Sequence, residues 1–203
     1  MFDFPLTMGV IEIFGLISGI LTIVLLIKQN IWTWPVGIAY TLSSIYIFFG
    51  AKLYADLVLH VFYLTMSAFG WYFWLNGGIE ESSTLTVSRE SKRTLLILLL
   101  LCGFGIYVSG TLFALHTAAE LPYWDNTTSI LSLLAIWLQS RKKIESWMLW
   151  LVVDILAVGI YFYKEIYFYS ILYTVYIVMA FIGYFEWHKS YKHEYRNHSD
   201  DRP

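Results

Sequence analysis

The chain has 203 residues, 58% of them hydrophobic and only 14% charged, whereas about a quarter of a soluble domain is charged. A formal net charge of −2 with no basic patch argues against nucleic-acid binding. A single cysteine, Cys102, excludes a disulfide scaffold and a Cys-x-x-Cys metal site.

A helix crosses a bilayer with about 20 mostly apolar residues. Seven such stretches are predicted in chain order: 10–27, 34–50, 55–75, 95–115, 127–140, 147–163 and 166–185. The N-terminal MFDFPLTMGVIE holds no Lys or Arg, so the first stretch is expected to be retained rather than cleaved as a leader. The second opens on WTWPVG, and the third carries His60 in DLVLHVFY. The polar stretch 76–94 reads as a loop, and Cys102 in the fourth helix reads as a small packing residue. Asp125 and Asn126 precede the fifth helix as cap residues would. The sixth contains Asp154 in WLVVDILAVG, and the seventh ends in a polar tail, 188–203. Of the 13 Lys and Arg, only Lys52 and Lys164 fall on the N-terminal side, which predicts an outside N-terminus and a cytoplasmic C-terminus.

A shift of 113 residues overlays the first three helices on the last three without a gap. Trp34 falls on Trp147, Met66 on Met179, Gly70 on Gly183 and Trp74 on Trp187. Internal repetition of this length reorganises the reading. Three helices reverse the chain and one linker helix reverses it again, so the repeats should be parallel. The expected organisation is a first repeat over 10–75, a linker helix over 95–115, a second repeat over 127–187 and a tail over 188–203. Parallel repeats of this kind occur in transporters, with the substrate near midplane.

Polar residues at membrane depth are the site candidates. Asp154 lies about 10 Å into its predicted helix at 1.5 Å per residue. It should meet a partner, a wet cavity or a cationic substrate. His60 can donate and accept toward a heteroaromatic ring. Glu12, Asp56 and Asp125 lie nearer the outer ends and read as solvated or capping groups, and Gln139 as interfacial. Aromatic residues make up 19% of the chain, and aromatic walls with a carboxylate suit a flat cation. His188, His193 and His198 share no helix face, so no metal site is expected. Phosphate-loop, HExxH and GxSxG patterns are missing, so neither enzyme activity nor a cofactor is expected.

WTWPVG at 32–37, LYADLVLHVFYLTMSAFGWYFW at 53–74 and the segment from 124 to 184 resemble the Pnu family of bacterial vitamin transporters. The resemblance implies an all-α integral membrane fold of seven helices in a 3+1+3, SWEET-like arrangement. It also implies homotrimers in the inner membrane and facilitated diffusion of a vitamin that is then trapped by cytoplasmic phosphorylation. The nicotinamide riboside carriers of that family tend to have Gln at the position of His60 and Asn at that of Asp154. Those two departures lead to the expectation of thiamine as substrate, with nicotinamide riboside as the alternative and a proton-coupled transporter as a further one. Asp154 and His60 would contact this cationic heteroaromatic ligand, with Tyr40, Trp34, Trp150, Tyr173 and Asn126 as walls.

Overall fold

Long apolar runs in a chain with so few charges can satisfy their backbone only as helices, because hydrocarbon offers no hydrogen-bond partner. The computed structural model describes residues 4–50, 54–77, 85–117 and 121–200, and among them every extended element is helical. In order these are α1 Phe4–Ile27, α2 Thr33–Gly50, α3 Tyr54–Asn76, α4 Lys92–His116, α5 Pro122–Ser140, α6 Glu145–Tyr163 and α7 Tyr167–Asp200. Four stretches are long and apolar enough to cross a membrane: Leu57–Asn76, Lys92–His116, Glu145–Tyr163 and Tyr167–Glu194. The chain divides into two compact units, Met1–Leu85 and Thr86–Pro203.

In the first unit α2 packs against both α1 and α3. The Thr33 hydroxyl donates to the Thr22 carbonyl at 2.9 Å and ties the start of α2 to α1. Trp34 is 2% exposed. Its ring meets Trp74 edge-on at 5.3 Å and 89° and lies so close over Gly70 that a Cβ there would collide with it.

In the second unit α5 packs against α4 and α6, and α6 against α7. Leu134, Ala135, Leu138 and Leu149 form its core, with Leu95, Leu98 and Cys102 of α4 packed against them. Cys102 thus fills space, as its apolar surroundings suggest. The arrangement of the indoles recurs 113 residues on. Trp147 meets Trp187 at 5.5 Å and 87° and covers Gly183 as Trp34 covers Gly70. The Nε1 groups of Trp34 and Trp147 have no hydrogen-bond partner among the described residues, so packing is what holds them.

The turns recur too. Gln29 (φ 54°) and Lys142 (φ 51°) occupy the left-handed region just past α1 and α5. Gln29 N–H donates to Leu26 and Asn30 N–H to Leu25; Lys142 N–H donates to Gln139 and Lys143 N–H to Leu138. These paired bonds are the Schellman ending of a helix. Glu165 (φ 60°) closes α6 in the same way.

Several boundaries differ from expectation, among them the start of α1, which lies at Phe4 rather than 10. Helix α5 begins at Pro122 with Leu121 as its N-cap, so Asp125 and Asn126 lie inside the helix rather than before it. Proline fits that first turn because its missing N–H has no partner there in any case. The polar tail is largely a continuation of α7, which runs to Asp200, while 201–203 lie outside the described residues. Within the described part of the predicted loop, Ser88 N–H donates to the Lys142 carbonyl and Ile144 N–H to the Ser88 carbonyl, forming a parallel bridge that pins 86–91 to the α5–α6 turn. Glu90 adds an ion pair to Lys143 at 3.9 Å, and its N–H donates to Glu145 Oε2 at 3.0 Å.

Under this cover Lys142 is 6% exposed. Burial pushes its ammonium down from 10.5 to about 8, against the field of Glu194, which raises it. The folded protein therefore releases this proton before the unfolded chain does, and stability rises with pH between those two values. A Lys142→Met variant carries no such titration. Its advantage in melting temperature over the parent at pH 7 should shrink as pH is raised through 8 towards 10.5, as followed by thermal unfolding in detergent.

The glycines offer a second test by the same method. Nothing lies within 4 Å of a Cβ at Gly159, so Gly159→Ala should stabilise by up to about 1 kcal/mol through helix propensity. Gly183→Ala and Gly70→Ala should instead destabilise by about 1–3 kcal/mol through overpacking against the indoles.

Candidate functional site

Asp154 occupies the middle of α6, nine residues from either end of Glu145–Tyr163, or about 14 Å at 1.5 Å per residue. Its residue is 5% exposed. Among the described residues no side chain or backbone group hydrogen-bonds or ion-pairs with its carboxylate. An unpaired carboxylate at that depth is costly, which makes Asp154 the leading candidate for a functional group. At the equivalent place in the first unit stands Thr41, also buried, whose hydroxyl is satisfied by the Gly37 carbonyl at 2.8 Å. The repeat thus puts a self-satisfied group at one position and an unsatisfied one at the other.

Spacings of four and seven residues put Trp150 and Tyr161 on the same helix face as Asp154, to either side of it along the helix. Trp150 Nε1 donates to Gln139 Oε1 at 2.7 Å, so a buried amide of α5 sets the indole's angle. On the other side Tyr161 stacks on Tyr173 at 5.3 Å and 15° and on Tyr169 at 5.2 Å and 24°. The result is a carboxylate flanked by a hydrogen-bonded indole and a stack of phenols. Three of the expected residues, Asp154, Trp150 and Tyr173, belong to this constellation.

Asn126 does not join it directly. It lies in the early part of α5, where its Nδ2 donates to the Pro122 carbonyl at 2.6 Å. Beside it Asp125 receives Lys164 Nζ on both oxygens, at 3.1 and 3.0 Å. This pair joins the start of α5 to the end of α6.

The remaining candidates belong to the first unit. His60 on α3 is 9% exposed and lies edge-on to Phe48 at 4.7 Å and to Tyr63 at 5.4 Å. Tyr40 is half-buried on α2, and its carbonyl accepts the hydroxyls of Ser43 and Ser44. Trp34 is taken up by Gly70 and Trp74. The side chains of Glu12 and Asp56 lie outside the described residues.

Gln139 and Tyr161 escaped the sequence reading. Gln139 lies one residue from the end of α5, and what the sequence reading missed is that it is buried and accepts from Trp150. The available signal was an amide within helical reach of a tryptophan on the next helix. For Tyr161 it was the spacing of seven from Asp154.

Residues 9–189 match the family described as nicotinamide mononucleotide transporter, and the chain belongs to that family. It is accordingly a multi-pass membrane protein of a transporter family. The nicotinamide riboside transporter PnuC of Escherichia coli is 28% identical over 202 residues, covering 87% of this chain and 84% of that one. The riboflavin/roseoflavin transporter RibM of Streptomyces davaonensis is 25% identical over 181 residues, covering 87% and 83%. In fold the chain is similar to the crystal structure of the vitamin B3 transporter PnuC, with a TM-score of 0.70 over 92% of this chain and 88% of that one, at 22% identity.

Proposed function

We propose that the protein carries nicotinamide riboside across the bacterial inner membrane by facilitated diffusion, with Asp154 as the group that receives its positive charge. The observation that carries this reading is the buried, unpartnered carboxylate at the centre of α6, set between Trp150 and the Tyr161–Tyr173 stack. Nicotinamide riboside is a flat pyridinium cation. A carboxylate matches its charge, and aromatic faces attract it through both stacking and cation–π energy. Riboflavin, the other substrate carried in a relative's name, is uncharged at neutral pH and gains nothing from a carboxylate. Thiamine, the substrate first expected from Asp154 and His60, is also a cation, so charge does not separate it from nicotinamide riboside. The relatives' names favour the riboside, which takes its place here.

The recurrence of indoles, glycines and turns at one spacing supports a 3+1+3 arrangement of parallel repeats around α4. The concentration of Lys and Arg at one set of helix ends supports an outside N-terminus.

Calorimetric titration of the purified protein tests the reading. Nicotinamide riboside should bind, with thiamine and riboflavin much weaker. Asp154→Asn should weaken the riboside by about 10–100-fold, or about 1.4–2.8 kcal/mol, while barely changing the affinity of its uncharged dihydro form. Equal loss for both forms would assign the carboxylate a structural role, and tighter binding of thiamine would overturn the substrate.

A further inference from the structure

The second unit carries a feature that vitamin transport leaves unused. Between α6 and α7 lies an open groove of about 200 Å³. Met148 and Leu151 line it from α6, and Phe181, Tyr184 and Phe185 from α7, over a floor that includes Trp147. Its lining is almost wholly apolar, and Met148, Phe181 and Phe185 are about half exposed or more.

The groove leads to a cationic end. The Tyr184 ring stacks on His188 at 5.8 Å and 5°, and His188 in turn lies against Tyr191 at 6.5 Å. Arg89 Nη2 lies 3.3 Å from His188 Nδ1, and the guanidinium sits 5.6 Å over the Tyr191 ring. Arginine can only donate, so His188 Nδ1 accepts and the ring is neutral with its proton on Nε2. Lys192 follows His188 by one turn of α7, on the same side.

Neither Arg89 nor Lys192 makes an ion pair among the described residues. The nearby carboxylates are committed elsewhere. Glu90 pairs with Lys143, Glu145 accepts the Glu90 N–H, and Glu194 faces Lys142. Glu186 stands two residues before His188, about 200° away around the helix. Among the described residues, two cations thus lie without an ion-pair partner at the end of an apolar trough, on a chain that lives in a bilayer.

We infer that this groove is a binding site for one anionic phospholipid, an acyl chain lying between α6 and α7 and the phosphate held by Arg89 and Lys192. The fork of an arginine matches phosphate oxygens in pairs. Basic pockets beside membrane helices are known to select charged headgroups. The aromatic series Tyr184–His188–Tyr191 supplies the amphipathic border between tail and headgroup.

The test is a lipid titration of the full chain in detergent, read by thermal unfolding and by native mass spectrometry. Phosphatidylglycerol should raise the melting temperature and remain bound, whereas phosphatidylcholine with the same acyl chains should do neither. The double variant Arg89→Gln/Lys192→Gln should lose about tenfold or more in apparent affinity for phosphatidylglycerol. Met148→Trp, which fills the groove from an exposed position, should lose it as well. Lys28→Gln, an exposed cation of the first unit, should leave it unchanged. Four results would overturn the proposal: equal stabilisation by phosphatidylcholine, the same shift from inorganic phosphate alone, an undiminished preference for phosphatidylglycerol in the double variant, or a change of oligomeric mass in Met148→Trp at constant lipid, which would make the groove a contact between copies.

Discussion

Helices in hydrocarbon do not gain by excluding water from one another, so their association depends on close fit between surfaces. In this protein the fit is made by an indole laid on a glycine. Trp34 covers Gly70 in the first unit and Trp147 covers Gly183 in the second. Each indole then meets a second one nearly at right angles. The glycine lets the two helices approach until no room remains for a Cβ. The edge-on contact places the positive rim of one ring against the negative face of the other. The register of α2 on α3, and of α6 on α7, follows from where those four side chains meet. The depth of Asp154 follows in turn, because it sits two turns along α6 from Trp147.

That packing was readable before any coordinates, since tryptophans and glycines at a constant spacing of 113 survive as letters. Asp154 was readable for a similar reason: one carboxylate inside WLVVDILAVG stands out against its neighbours. The helix ends were not. Hydropathy registers where the chain leaves hydrocarbon, whereas a helix stops where its last carbonyls find other partners. Helix α7 therefore runs well beyond its apolar part, and α5 starts several residues early on Pro122. Pairwise contacts were equally hidden. The bond from Trp150 to Gln139 and the stack of Tyr161 on Tyr173 depend on the rotation of one helix against the next, which spacing within a helix leaves open. The substrate could not be read from the site residues alone, because a buried carboxylate reports the sign of a ligand's charge and little about its shape.

The two units share an indole–glycine packing pattern and differ in the polar groups at matching positions. Thr41 and Asp154 occupy matching buried positions, yet one hydroxyl is closed on its own helix and one carboxylate is left open. His60, wedged against Phe48, matches Tyr173, which lies against Tyr161. Leu26 matches Gln139 and Gly37 matches Trp150, so the bond between amide and indole has no counterpart at those positions of the first unit. Every one of these differences adds polarity or aromatic stacking to α5, α6 or α7 without disturbing the indole–glycine contacts.

The corners after α1, α5 and α6 have a mechanical consequence. Each places a non-glycine residue in the left-handed region and clasps it with two backbone hydrogen bonds. Glycine there would give the chain many ways to reopen; Gln29, Lys142 and Glu165 give it few. Splaying α5 from α6, or α6 from α7, means breaking a clasp where a side chain already restricts the escape routes. Such corners behave as welded elbows rather than hinges. Whatever bending the protein undergoes while it works is thereby directed away from them, and the helix pairs they join travel as braced frames.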